Sequence, residues 1–201
     1  WQYCKENTIP GTEAQQKGYT TGIVFKGKIE TEQPALMAAM QTRETIYMFE
    51  NILYGTWADV KNATEQPNAP ASLVAAFNAA EAALKSQTDP NTIYPNAYST
   101  NGFTGYSPDA NGDYYTYYYY WNRHNDNGDN ATMGTMEFAV VRNNVYKLCV
   151  DNIYKLGHPT PGKDPDPDPE DPSDPDEDLN YYFNVTARVL PWTVRVNNIE
   201  F

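Results

Sequence analysis

His124 and His158 are the two side chains that could serve as bases at neutral pH without a shifted pKa. His124 sits in the polar run Asn122-Arg123-His124-Asn125-Asp126, and His158 stands directly before Pro159. A serine nucleophile of the hydrolase type would need a Gly-x-Ser-x-Gly elbow, and a zinc centre would need His or Cys at ligand spacing. The sequence has neither. A glycosidase pair needs two carboxyls held about 5–10 Å apart on a rigid frame. The carboxylates here crowd instead into Asp164–Asp178, a tract of nine acidic residues, five prolines and one serine. No catalytic residue, metal ligand or cofactor-binding residue is therefore assigned, and the chain reads as something other than an enzyme.

Two turns carry oxygen ligands around a glycine, Asp109-Ala110-Asn111-Gly112-Asp113 and Asp126-Asn127-Gly128-Asp129. Calcium is the chemistry they would suit. Neither has the twelve-residue loop ending in glutamate, and both read first as plain Asx turns. The run Tyr114-Tyr115-Thr116-Tyr117-Tyr118-Tyr119-Tyr120-Trp121 could stack on a carbohydrate, but packing between layers is the preferred reading. The only cysteines, Cys4 and Cys149, are too few for a disulfide framework. They could pair across the fold, but read first as two separate thiols, with Cys149 in a strand and buried.

The elements that position these residues are mostly strands. Tyr19–Ile29 alternates at period two, and Tyr114–Trp121 does so with rings on both faces, as a central or covered strand would. Thr135–Val141 and Val145–Ile153 read as a hairpin joined at Arg142-Asn143-Asn144. Tyr181–Leu190 and Trp192–Phe201 read as the last two strands, with Pro191 between them. A pair of helices is expected in about 34–88. One lies in Pro34–Trp57, stopped by Gly55. The other carries Leu73, Ala76, Phe77, Ala80 and Leu84 on one face, with Pro70 in its first turn and Asp89-Pro90 at its end. Strands separated by turns, without a regular helix–strand alternation, argue for a mostly β fold, an antiparallel β-sandwich with an inserted pair of helices.

Charge narrows the partners. The net charge of −12 falls to −3 without the acidic tract, and no basic stripe follows a phosphate backbone. Nucleic acid is excluded on that ground, as is direct docking to anionic lipid. No apolar run is long enough to span a membrane. The opening at Trp1, with neither Met nor a signal peptide, reads as a mature or truncated product. Alternating proline and like charge make Asp164–Asp178 an extended connector, at about 3.1 Å per residue.

Several stretches resemble one family. Tyr117–Gly128, Met136–Leu148, the Pro/Asp-rich loop, Leu190-Pro191-Trp192-Thr193-Val194 and Cys4-Lys5-Glu6-Asn7-Thr8 are together similar to the fimbrillins of type V (Bacteroidia) pili, in their minor-fimbria branch. The resemblance covers most of residues 1–30 and 114–201. It implies that residues 1–17 are the tail of an N-terminal domain plus a linker, and that 18–201 are a transthyretin-like C-terminal sandwich. It also implies a structural subunit of an extracellular fimbria, exported as a lipoprotein to the outer membrane and polymerised by donor-strand exchange. Other fimbrial subunits would be its partners, host or bacterial receptors would follow if it supports adhesion, and a precursor lipid would be its sole membrane link. The expected donor strand is Trp192–Phe201, with Trp192, Val194 and Val196 on one face and Ile199 and Phe201 turned inward beyond Asn197-Asn198. A surface carbohydrate-binding or tip-adhesin module is the alternative.

Overall fold

The computed structural model describes residues 2–9, 11, 19–86, 97–125, 127–129, 132–161 and 183–191. The expected linker (apart from Gly11), the acidic tract and Trp192–Phe201 lie outside the described residues. The chain divides into two compact units. One comprises Trp1–Phe25, Tyr118–Lys155 and Gly162–Phe201; the other comprises Lys26–Tyr117 and Leu156–Pro161.

Two long strands, β1 (Gly22–Lys28) and β5 (Tyr115–Trp121), contribute residues to both units. They pair with each other. The Ile29 amide donates to the Tyr114 carbonyl at one end and the Asn122 amide to the Thr21 carbonyl at the other, so they run antiparallel. Gly22 is required here, because a Cβ on it would come within 2.7 Å of the Trp121 ring. The two-sided aromatic pattern of β5 is real: Tyr114, Thr116 and Tyr118 are buried, while Tyr115, Tyr117, Tyr119 and Trp121 are partly covered. Its second edge makes an isolated bridge, Tyr117 to His158.

In the 26–117 unit, helix α1 spans Pro34–Gln41. Pro34 suits the first helical position because its missing N–H has no partner to lose there. The helix stops where the Thr42 hydroxyl turns back onto the Ala38 and Ala39 carbonyls and Arg43 takes a left-handed φ of 59°. The sequence reading of one helix running on to Gly55 is thus corrected. Ile46–Phe49 forms strand β2 and Ile52–Tyr54 forms β3, an antiparallel pair with Phe49 opposite Ile52. Apolar residues without a helical stripe, rich in β-branched and aromatic types, fit a pleated, two-sided surface better than a helix. The turn between the strands holds Glu50 and Asn51 at φ 46° and 66°, the two positive values that a type I′ turn demands. Installing its preferred pair, Glu50→Asn with Asn51→Gly, is expected to raise the melting temperature by about 1–4 °C, on the order of 1 kcal/mol for this size. A fall on thermal denaturation would mean the turn is not limiting.

Helix α2 (Trp57–Thr64), unforeseen in the sequence, begins at Thr56. The Thr56 hydroxyl accepts from the Asp59 amide and donates to the Asp59 carboxylate, a reciprocal cap. Helix α3 (Ala71–Lys85) buries Leu73, Phe77 and Ala80, with Ala76 and Leu84 packed beside them, as its stripe predicts. Strand β4 (Thr104–Tyr106) adds to the other edge of β2, giving the order β3-β2-β4. One core gathers Tyr47, Phe49, Val60, Leu73, Phe77, Tyr98 and Phe103 around the Trp57 indole, and a second gathers Ile29, Leu36, Ile46, Tyr106 and Tyr114. Both tyrosines of the second core anchor their hydroxyls on backbone carbonyls, Tyr106 on Gly157 and Tyr114 on Glu44.

In the other unit, β6 (Asn144–Ile153) pairs antiparallel with β7 (Phe183–Pro191). This corrects the expected hairpin. Thr135–Val141 is mostly turn, and the strand partner of β6 comes from beyond the acidic tract. Met136 and Asn143 both adopt positive φ, which breaks the extended path. Val140 keeps one isolated bridge, to Asn7. The described residues therefore form a strand-rich fold of antiparallel sheets with helices.

Candidate functional site

The five residues expected to polymerise the chain, Trp192, Val194, Val196, Ile199 and Phe201, lie outside the described residues. The last described strand, β7, ends at Pro191, directly before them in sequence. β6 and β7 pair from Asn144↔Pro191 to Ile153↔Phe183, with a β-bulge at Asp151. Facing pairs share a side of the ribbon. Tyr146, Leu148 and Val150 therefore share one side with Val185 and Ala187, while Val145, Lys147 and Cys149 share the other with Arg188 and Leu190. The extra residue at the bulge brings Ile153 onto the Val150 side. Val150 is 38% exposed and Ile153 59% exposed. Among the described residues, each of the two strands has the other as its only strand partner.

Behind the ribbon, still within this unit, lies a buried polar network that the sequence reading missed. Glu137 is fully buried and pairs with Arg123 at 3.0 Å. Its second oxygen accepts from the Gly134 amide at 2.6 Å, and its carbonyl accepts from the His124 amide at 2.7 Å. The Arg123 guanidinium lies 4.8 Å over the Phe138 ring. Buried Asn122 donates its side-chain amide to the Ala139 carbonyl. The Tyr146 hydroxyl on β6 accepts from the Val141 amide and meets His124 Nδ1 at 2.8 Å. Burial pushes that phenol above its ordinary pKa. The network closes the loop from Asn122 to Glu137 and ties it to the start of β6. Glu137 lies in Thr135–Val141, which the sequence reading took for a strand.

The N-terminal segment is held in the same unit. Asn7 and Val140 exchange backbone hydrogen bonds of 2.8 Å, and the Asn7 side chain donates to Thr21 Oγ1 and to the Tyr19 carbonyl. Glu6 lies 3.7 Å from Arg142. Cys4 and Cys149 are both free, and both are exposed; the expected burial of Cys149 fails because it lies on the open side of the ribbon.

The groups that could have done chemistry are placed as follows. His124 is engaged by Tyr146, and His158 shares a backbone bridge with Tyr117. Asp109 Oδ1 accepts from the Asn111 and Asp113 amides at 2.9 Å each, an Asx turn. The Asp113 amide, with those of Asn111 and Gly112, holds the Asp109 carboxyl below its usual range. Asp113 bonds Lys28 at 2.9 Å, which raises the lysine. Lys26 covers the Tyr115 ring at 3.4 Å, a cation–π contact on the face considered for stacking. No group of three or more His, Cys, Asp or Glu able to hold a metal occurs among the described residues.

Residues 112–198 match the family model for the C-terminal part of fimbrillin, described as major fimbrial subunit protein type IV. This stretch is similar to a fimbrillin C-terminal region. The match takes in less than half of the chain. It runs through β5, the Glu137 network, β6 and β7, while α1–α3 and β2–β4 precede it. No curated protein matches the chain. The matched description is that of a structural subunit of fimbriae. No helix among the described residues is long and apolar enough to cross a membrane.

Proposed function

We propose that the chain is the C-terminal part of a fimbrial subunit that polymerises by donor-strand exchange, with Trp192–Phe201 as the donated strand. The observation that carries this reading is the continuation of the fimbrillin match beyond Pro191, where β7 ends, to Asn198. That stretch alternates Trp192, Val194 and Val196 against Thr193, Arg195 and Asn197. In strand addition the main chain supplies affinity and alternate side chains supply specificity, so such a pattern is what a donor needs. The β6–β7 ribbon supports the reading too: among the described residues its strands pair only with each other, and a two-stranded ribbon gains from further pairing. A transthyretin-like sandwich, a lipoprotein precursor at the outer membrane and a part in adhesion follow from the family resemblance. The test is face-specific. In the full-length subunit, Val194→Asp with Val196→Asp is expected to abolish polymer formation, whereas Thr193→Asp should leave it near the parent level. Equal effects from both sets would defeat the alternating-face assignment.

A further inference from the structure

We draw no further inference here: the strongest candidate, the half-exposed apolar side of the β6–β7 ribbon formed by Leu148, Val150, Ile153, Val185 and Ala187, carries nothing because nothing in the structure shows what covers it.

Discussion

Replacing Glu137 by alanine is expected to cost about 3–5 kcal/mol, the usual penalty for breaking a buried ion pair from one side. Glu137 has no solvent exposure and Arg123 retains only 11% on its side chain. The substitution removes the carboxylate from beside the guanidinium and the acceptor from the Gly134 amide, so two desolvated donors lose a strong partner together. Replacing both charges with apolar residues, Arg123→Met with Glu137→Leu, should recover much of the loss, because it removes the desolvation cost of both buried groups together. The exposed pair Lys61–Glu65, at 3.9 Å, sets the scale: Glu65→Ala is expected to cost less than about 1 kcal/mol. Urea denaturation of the three variants decides the matter. A Glu137→Ala protein within about 1 kcal/mol of the parent would mean that the network is ornamental to stability.

Phe103→Ala should be comparably severe, with a loss of about 3–5 kcal/mol from the 26–117 unit. Phe103 is 1% exposed and lies 4.8 Å from the Phe49 ring and 5.0 Å from the Trp57 ring. Close neighbours on both sides prevent the hole from collapsing, so a cavity penalty adds to the lost transfer energy. Trp57 reports on this core directly, since its indole also meets Tyr47, Phe77 and Tyr98 within 5.2 Å. Tryptophan fluorescence on denaturation is the readout. The exposed Ile52, at 53%, is the control, and Ile52→Ala should stay within about 0.5 kcal/mol. Equal losses at the two positions would contradict the placement of the core around Trp57.

Local patterns were legible where one physical rule governed a whole element. The stripe of α3 and the alternation of β1 and β5 are of this kind, because burial on one side fixes side-chain period directly. The tract from Ile46 to Tyr54 was misread as helix. Its apolar residues fit either state, and the deciding feature was the pair of positive φ values at Glu50 and Asn51, of which only the asparagine is a usual turn residue. The partner of β6 was misassigned because nearness in sequence favoured Thr135–Val141. The true partner, β7, lies beyond the acidic tract and wins on a nine-residue pairing register. The Arg123–Glu137 pair was illegible for a related reason: the turn between the two residues folds back through backbone bonds that composition does not show. The fimbrillin resemblance, by contrast, was readable from the Tyr117–Gly128 and Met136–Leu148 stretches, both inside the segment that the fimbrillin model matches.

Assembly through the C-terminal strand is tested most directly by deleting Asn198–Phe201 from the full-length subunit and imaging surface fimbriae. Ile199 and Phe201 are each expected to contribute about 1.5–3 kcal/mol between subunits through burial of their side chains. Fimbriae should vanish from the cell surface, while the purified protein keeps its melting temperature to within about 2 °C. Fimbriae of normal length on the deletion strain, or an unfolded purified subunit, would contradict the donor-strand account.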